Sequence, residues 1–521
     1  MNKQLSIRLI ACLCVCALVF SLLPLYALAM YNHPFYDDFG FSVRIHRVWT
    51  DTGSVPEAVR EAWRNMLSTR QTWQGNYTAT FLSGIQPGVF DEDLYFLTTC
   101  ILLTSLIAGC AALIAAALRR LLNADWAAVA LIASLLLFLI VQMTPAVDEA
   151  YFWFNGGIGY TFNYALLALA GSLAIRLWRC ATKRRAALHV AVLAVLLVLL
   201  GGGSYTSGLF ALVGFGFVGL LAFCRKSRWR WCYVGLVLLY AACLVYSMTA
   251  PGNLVRAETL SGGLSAPMAI AQSFYFGLAL MGDWLSVPLC VVCAVCAFVL
   301  IPSLRESRYA FRYPVVVTLL CVCIFCTQLT PTLFTGNYLG DGRTVNTYFY
   351  SYVLMAAFLS VYWAGWALKR LGARAGAMEG GRGGIRLGAA LAAAVLLMGG
   401  LIGYRPYGGE EVGLTQLAAG SALRSLLNGE AAAYDAAMDA RDAAMNDPEN
   451  TRPVLTPVEN VPDAFMGDAL NADNLDYVLS LYAEYYEKQQ VTAAEGVDAA
   501  AVVAHFDLNH GRQCIPLYLN R

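Results

Sequence analysis

Residues 126–143 read WAAVALIASLLLFLIVQM, eighteen consecutive residues without a charged side chain. A stretch of about 17 to 25 apolar residues is what a helix needs to cross the hydrocarbon core of a bilayer. The rest of the chain has a similar character, because 59% of its 521 residues are hydrophobic and only 13% are charged. Together with a mean hydropathy of +0.58, this exceeds what soluble chains carry. The sequence therefore predicts an all-α polytopic membrane protein.

Eleven apolar stretches are candidate transmembrane helices. They lie at 9–30, 96–118, 126–143, 158–177, 186–201, 207–223, 231–249, 284–302, 314–330, 347–368 and 386–403. A twelfth apolar stretch, 267–282, is interrupted by glycines and runs directly into 284–302. We interpret it as an interfacial or re-entrant helix, because another complete crossing would disrupt the charge pattern of the loops.

The loops alternate in charge, which predicts the orientation of the chain. Lys and Arg are concentrated in one set of loops, at 119–120, 176–185, 225–230, 305–312 and 369–386, whereas the alternate short loops contain only Arg256 and Arg343. By the positive-inside rule the first set is cytoplasmic. The amino terminus is therefore expected in the cytoplasm. The first apolar segment ends in Ala27-Leu28-Ala29, like a signal peptide, but is long enough to be a retained helix.

This orientation divides the chain into two predicted domains. Residues 1–404 form the transmembrane domain, including a long extracytoplasmic loop at 31–95. Residues 405–521 form a small, mainly helical extracytoplasmic domain, with helices expected at 415–446 and 473–488. Within the long loop, Ser54-Val55-Pro56-Glu57 is typical of a helix start. Apolar residues then recur at helical spacing, which predicts a helix on the membrane surface.

Two adjacent carboxylates, Asp37 and Asp38, lie in the stretch HPFYDDFGFS at 33–42, a few residues after the first span. The structural alternative is that Asp38 caps a helix and Asp37 is solvated. Aromatic neighbours at the membrane surface instead favour partial desolvation, which raises one carboxyl toward the pKa of a general base. The other carboxylate then stays charged or binds a divalent cation such as Mg²⁺ or Mn²⁺. We therefore treat Asp37 and Asp38 as candidate catalytic or metal-binding residues.

Three other extracytoplasmic loops contain candidate binding residues. Taken singly, Asp148 and Glu149 are best explained as ordinary loop charges, but together with Trp153 they suit the hydroxyls and the face of a sugar. Arg256 and Arg343 are candidates for binding a phosphate or diphosphate. Ion pairs with neighbouring acids explain these two arginines equally well.

The sequence resembles the GT-C superfamily of membrane glycosyltransferases, in which an acidic pair follows the first helix. More closely, it resembles an uncharacterised bacterial polytopic membrane family related to those enzymes, over most of residues 1–370. The matching motifs are Asp37-Asp38-Phe39-Gly40-Phe41-Ser42, Trp73-Gln74-Gly75-Asn76-Tyr77, Glu149 with Trp153 and Gly156-Gly157, Ala250-Pro251-Gly252-Asn253 with Arg256, and Gly342-Arg343.

This resemblance implies transfer of a sugar from a polyprenyl-phosphate donor to an envelope glycan or lipid acceptor on the outer face of a bacterial cytoplasmic membrane. Asp37 or Asp38 would act as the base or as a metal ligand, and Arg256 and Arg343 would bind the lipid phosphate. Trp73, Tyr77, Asp148, Glu149, Trp153 and Asn253 would line the substrate site. Membrane lipids are expected partners and nucleic acids are not.

Other functions remain open at this point. The sequence departs from the family pattern at Asn76, where an arginine is expected, and at Ser204-Tyr205, where a glutamate is expected. These differences keep a non-catalytic role in envelope assembly as an alternative. A transporter or flippase of a lipid-linked or soluble solute, and a polysaccharide polymerase or ligase, are further alternatives.

Overall fold

The computed structural model describes residues 3–259, 262–371, 416–471 and 475–494, and these segments are almost entirely helical. The predicted span at 386–403 and the predicted domain boundary at 404 lie outside them. In chain order the α-helices are α1 (Lys3–Leu28), α2 (Asp37–Thr52), α3 (Val55–Thr72), α4 (Tyr77–Gly84), α5 (Leu97–Leu121), α6 (Trp126–Gln142), α7 (Phe154–Gly157), α8 (Asn163–Trp178), α9 (Lys183–Gly201), α10 (Tyr205–Cys224), α11 (Arg230–Met248), α12 (Pro251–Thr259), α13 (Ala266–Asp283), α14 (Val287–Val299), α15 (Ile301–Glu306), α16 (Pro314–Cys326), α17 (Thr330–Gly336), α18 (Gly342–Leu371), α19 (Ala418–Leu427), α20 (Glu430–Asn446) and α21 (Leu475–Tyr485).

Short elements connect some of these helices. The 3-10 helices are Ala29–Tyr31, Pro87–Val89, Glu92–Phe96 and Ala469–Asn471, and the π-helical turns are Asp148–Phe152 and Ile158–Phe162. Two short strands, β1 (Val454–Leu455) and β2 (Thr492–Ala493), pair in parallel.

Within the described residues, eight helical segments are long and apolar enough to cross a membrane. They are Ile7–Tyr31, Glu92–Leu121, Phe154–Trp178, Lys183–Gly201, Tyr205–Cys224, Arg230–Met248, Pro314–Gly336 and Gly342–Arg370. Each coincides with one of the predicted spans. The prediction of an all-α polytopic membrane protein is therefore confirmed.

Helix α6, which the opening stretch predicts, lies at the centre of the bundle. It is only 17 residues long, and its buried residues include nearly all of those from Leu131 to Gln142. Helices α1, α5, α14 and α18 pack around it. An apolar helix without a polar face is buried on all sides in this way.

The region 267–302 differs from the prediction of one complete span at 284–302. Helix α14 has 13 residues, which reach about 20 Å and are too few to cross alone. It follows α13 after a break at Trp284–Ser286, and the two helices meet at 88°. The pair therefore forms a broken span or a re-entrant element, which raises the number of candidate spans in the described residues to nine.

The predicted surface helix in the long loop is α3, which begins at Val55 as expected. Its small residues Ala58 and Ala62 are buried against α2 and α4. Met66 is also buried, whereas Val59, Trp63 and Leu67 are exposed, Trp63 to 56%. An exposed apolar helix face beside a transmembrane bundle agrees with a position on the membrane surface.

The carboxy-terminal segment packs directly on this end of the bundle. Helix α19 lies against α1, and Phe465 contacts Phe152 with ring centroids 5.2 Å apart. Helix α21 packs on α2. The expected helices at 415–446 and 473–488 are present, but Gly429, with φ of 80°, divides the first into α19 and α20.

The basic loops meet at one end of the bundle, opposite the candidate residues. Arg228 donates to the carbonyl of Ala181 at 2.7 Å, and Lys369 donates to the carbonyl of Arg305 at 2.8 Å. Helix α5 runs from Leu97, near Asp38, to the basic end at Arg119 and Arg120. The structure therefore separates the positive loops from the acidic pair by the length of the bundle.

Candidate functional site

Asp37 and Asp38 form the first turn of α2, after a sharp bend in the backbone at Tyr36. Tyr36 has φ of 45°, in a region that non-glycine residues rarely adopt. The backbone N–H of Asp38 donates to the carbonyl of Phe35 at 2.9 Å. Strained backbone of this kind persists where the surrounding contacts hold it, often at functional sites. Here the bend holds both carboxylates at the start of the helix.

Asp38 is completely buried and its carboxylate accepts three hydrogen bonds. The Oδ2 atom accepts from the backbone N–H of Phe35 at 3.0 Å and from the hydroxyl of Tyr95 at 2.5 Å. The Oδ1 atom accepts from the backbone N–H of Asn155 at 3.0 Å. Burial raises the pKa of Asp38 to about 7, although these donors act in the opposite direction. Asp38 therefore positions the loops around it and is closed to a substrate.

Asp37 is the accessible member of the pair. It is partly exposed, and its Oδ2 atom accepts from the side-chain amide of Asn155 at 3.2 Å. Desolvation raises its pKa above the usual range, whereas Arg343, Arg256 and the Asn155 amide lower it. Asp37 therefore combines access with two neighbouring cations. The two carboxylates predicted as a pair have different roles, because only one of them faces the open side.

Asn155 connects both carboxylates to the second loop. Its backbone binds Asp38 and its side chain binds Asp37. It lies in the short helix α7, between the π-helical turns Asp148–Phe152 and Ile158–Phe162. Such wide turns occur mostly as local interruptions of helices and are frequent at functional sites. They let the chain turn Asn155 toward α2 and Glu149 toward α18.

Glu149 and Arg343 form a buried ion pair beside the carboxylates. Glu149 is fully buried, and Arg343 Nη1 lies 2.9 Å from its Oε2 atom. The Glu149 carboxylate also accepts the backbone N–H groups of Gly342 and Arg343, at 3.1 and 3.2 Å. Arg343 makes a second ion pair with Asp341. Its guanidinium is therefore fixed in place, yet it is still close enough to Asp37 to influence it.

Trp153 lies beneath Arg343 at the floor of this region. The guanidinium is 5.1 Å from the Trp153 ring centroid, and Phe35 meets the same indole edge-on at 5.8 Å. The indole is 5% exposed. Its Nε1–H group finds no acceptor among the described residues. A buried donor without a partner costs free energy, and a bound ligand with a suitable oxygen would satisfy it.

Arg256 reaches the site from α12 and is oriented by the loop 73–75. Its Nη1 atom donates to Gln74 Oε1 at 2.6 Å, and its guanidinium lies 5.6 Å from the Trp73 ring centroid. Asn253 holds this arrangement together, since its Oδ1 atom accepts the N–H of Gly75 at 3.0 Å. The Asn253 amide also donates to the carbonyl of Ser247 at 2.9 Å. Asn253 therefore positions the arginine.

Tyr77 and Asp148, the remaining predicted site residues, belong to the framework of the bundle. The hydroxyl of Tyr77 donates to the carbonyl of Val198 at 2.5 Å, which fastens α4 to α9. Gly202 is adjacent, and its carbonyl accepts the N–H groups of Thr78 and Ala79 at 3.0 Å each. Asp148 is buried in the first π-helical turn. These contacts place Tyr77 and Asp148 in the walls of the bundle.

Several residues of the site were missed from the sequence. Tyr95, Asn155 and Gln74 hold Asp38, Asp37 and Arg256 respectively, but single polar residues among apolar ones carry no distinctive pattern. Burial and the nearby Asp37 carboxylate raise the pKa of Tyr477 in α21, whose ring centroid lies 6.1 Å from that of Tyr36. The carboxy-terminal segment thus reaches the acidic pair, which only the folded chain reveals.

No protein-family model matches the chain, and no match was found among the curated proteins or the solved structures.

Proposed function

We propose that this protein is a membrane glycosyltransferase that moves a sugar from a polyprenyl-phosphate donor to an envelope glycan or lipid acceptor. The observation that carries the proposal is the position of Asp37, a partly exposed carboxylate that two arginines, Arg256 and Arg343, influence electrostatically. A base beside two phosphate-binding groups is what this reaction requires. The resemblance of the acidic pair to GT-C enzymes agrees with it.

The proposed reaction is a single displacement. The acceptor hydroxyl oxygen attacks the anomeric carbon of the donor, and its proton passes to Asp37. The bond from the anomeric carbon to the phosphate oxygen breaks, and its electron pair leaves with the polyprenyl phosphate. Arg256 and Arg343 stabilise the charge that develops on that phosphate. The stereochemistry at the anomeric carbon is inverted.

Both arginines are held in place by neighbouring side chains. Arg343 is fixed by two acids, so much of its charge is already compensated. Arg256 donates to the neutral oxygen of Gln74. Both guanidinium groups lower the pKa of Asp37, so in this proposal both arginines bind the phosphate, and Arg343 also covers the Trp153 indole.

The proposed reaction takes place on the extracytoplasmic face of a bacterial cytoplasmic membrane. The positive-inside rule assigns the basic end of the bundle to the cytoplasm, and Asp37 lies at the other end. With this orientation the amino terminus is cytoplasmic and the segment 416–494 is extracytoplasmic. Polyprenyl-phosphate sugars present their head groups at that surface, within reach of α3 and the start of α2.

The experiment measures release of polyprenyl phosphate by the purified full-length protein. The donors are short-chain polyprenyl-phosphate hexoses, amino sugars and pentoses, and the acceptor is an envelope glycan extract. We expect release with at least one donor and a loss of about 100-fold or more in Asp37→Asn, as for removal of a general base.

Asp476→Asn is the matched control, because Asp476 is an exposed acid on α21 and the change removes the same charge. We expect the control to release polyprenyl phosphate at the rate of the unchanged protein. No release from any donor, or full activity of Asp37→Asn, would contradict the proposal.

A further inference from the structure

A second cluster of ionisable side chains lies beside the candidate site, where the long loop at 31–95 meets α20. His33, four residues before Asp37, is 7% exposed and meets the edge of the Tyr434 ring, with centroids 5.9 Å apart. Its Nε2 atom is 3.0 Å from Asp435 Oδ1. Asp439 follows one turn later on the same helix face. One ligand atom from each of His33, Asp435 and Asp439 lies within 4.8 Å of the others.

The other ring nitrogen of His33 is held by a carboxylate. His33 Nδ1 is 2.8 Å from Glu92 Oε1. This is the arrangement that metal-binding histidines usually show, because a carboxylate on one nitrogen fixes the ring and makes the other nitrogen a better ligand. The buried imidazole therefore distinguishes this cluster from a group of surface acids. Its Nε2 atom points at the two aspartates.

Among the described residues, acidic side chains outnumber the cations around His33. Glu92, Asp435 and Asp439 face a single imidazole, and Glu92 is also in contact with Asp442. The neighbouring cation on the same helix, Arg441, is bound to both oxygens of Asp468 at 2.7 Å. A divalent cation would compensate this excess of negative charge.

We propose that His33 Nε2, Asp435 and Asp439 bind one divalent first-row transition-metal ion, with Glu92 orienting the imidazole. Metal–ligand distances near 2.1 Å place neighbouring ligand atoms about 3 to 4 Å apart. The separation of His33 from Asp435 already fits this geometry, and a rotation of the exposed Asp439 side chain closes the site. One nitrogen and two carboxylates suit Mn²⁺ and Zn²⁺.

The metal would join the long loop at 31–95 to the carboxy-terminal segment. His33 precedes the bend at Tyr36, and Glu92 belongs to the same 3-10 helix as Tyr95, which binds Asp38. An ion at this position would therefore stabilise the turn that presents Asp37. This inference concerns a structural bond and does not depend on the proposed glycosyltransferase activity.

Substitution of Asp439 tests the proposed metal site. Its side chain is exposed and makes no hydrogen bond or ion pair within the described part of the chain, so Asp439→Asn should fold normally. Asp476→Asn on α21 removes the same charge from another exposed helix and serves as the matched control. Circular dichroism of both variants in detergent would verify their folding.

Mn²⁺ is the probe, because the many cysteine thiols of this chain favour softer ions. Chelator-treated full-length protein is titrated with MnCl₂, and free Mn²⁺ is counted from its electron paramagnetic resonance signal. We expect one bound Mn²⁺ per chain and an increase of the melting temperature on binding. Asp439→Asn should weaken the affinity about tenfold or more, whereas Asp476→Asn should leave it unchanged.

Two results would overturn the metal site. One is the absence of stoichiometric Mn²⁺ binding to the unchanged protein, which would leave His33 as a hydrogen-bonded imidazole between two carboxylates. The other is equal affinity of Asp439→Asn and the unchanged protein. Glycosyl transfer is measured separately, so failure of the metal proposal is distinguishable from failure of the catalytic proposal.

Discussion

The hydroxyl of Tyr95 donates to Asp38 Oδ2 at 2.5 Å, and both side chains are completely buried. The same hydroxyl oxygen accepts the backbone N–H of Phe154 at 3.1 Å. One phenol therefore connects the start of α2, the start of α5 and the turn that contains Asn155. This connection helps to hold the buried Asp38 carboxylate in place.

Replacing Tyr95 by phenylalanine should destabilise the protein. The change removes one donor to Asp38 and leaves the Phe154 N–H without its acceptor, so we expect a loss of about 1–3 kcal/mol in the free energy of unfolding. Unfolding in mixed micelles measures it. Tyr275→Phe is the control, since Tyr275 is 58% exposed. Equal stability of the two variants would show that the Tyr95 hydroxyl contributes nothing.

The pH dependence of transfer should identify Asp37 as the base. Its pKa is raised, so the carboxylate form is lost as the pH falls through a value above the usual range near 4. We therefore expect kcat/KM to rise with pH on an acid limb that lies above pH ~4. A profile that is flat from pH 4 upward would exclude this role.

Arg256→Gln should move this acid limb to higher pH. Arg256 lowers the pKa of Asp37, and the substitution removes that contribution. If Arg256 only bound the phosphate, its loss would reduce kcat/KM without moving the acid limb. Profiles of the two proteins, measured in the same buffers, distinguish the two cases.

Arg343→Gln should cost more stability than Arg256→Gln. Arg343 balances Glu149, which is fully buried, and its removal leaves that carboxylate without a counter-ion. Breaking a buried ion pair in this way costs about 3–5 kcal/mol. Arg256 and Gln74, which accepts its hydrogen bond, are both partly exposed, so removal of Arg256 should cost less. Denaturant unfolding of both variants gives the comparison, and the reverse order would refute the assignment of Arg343 as a structural cation.

Gly202→Ala should destabilise the contact between α4 and α9. A Cβ atom at Gly202 would lie 2.4 Å from Tyr77 Cδ2 and 2.5 Å from the backbone nitrogen of Thr78. Because one of these neighbours is backbone, we expect a loss of about 1–3 kcal/mol. Gly216→Ala is the control, since a Cβ there has no neighbour within 4 Å. A similar melting temperature for both variants would contradict the predicted clash.

The sequence predicted most of the fold because apolar length is a local property. An apolar run such as 126–143 is unfavourable in water whatever surrounds it, so the spans could be located without knowledge of the helices around them. The bend between Asp283 and Val287 could not be located in this way, because the stretches on both sides of it are apolar. Whether either stretch crosses the membrane depends on the length of the helix that it forms. The helix start at Ser54–Glu57 was also predicted, because it too rests on local chemistry.

The candidate site was likewise predicted only in part. Adjacent carboxylates, outward arginines and a tryptophan among acids are visible in the sequence, and it named Asp37, Asp38, Glu149, Arg256 and Arg343. Their roles required tertiary structure, because burial and hydrogen bonds to distant residues decide whether a carboxylate is held or accessible. Asp38 is closed by Tyr95 and Asn155, which lie 57 and 117 residues away in the chain.

The carboxy-terminal segment shows most clearly which contacts the sequence alone could not predict. Its sequence alone predicts helices and little else, yet its folded position brings Asp435 to His33, which lies 402 residues away in the chain, and Tyr477 near Asp37. Composition and periodicity determine that this chain enters a membrane and where its helices lie, because both depend on neighbouring residues. Only the packing of the helices decides which polar groups meet, because such contacts depend on distance in space and leave no pattern along the chain.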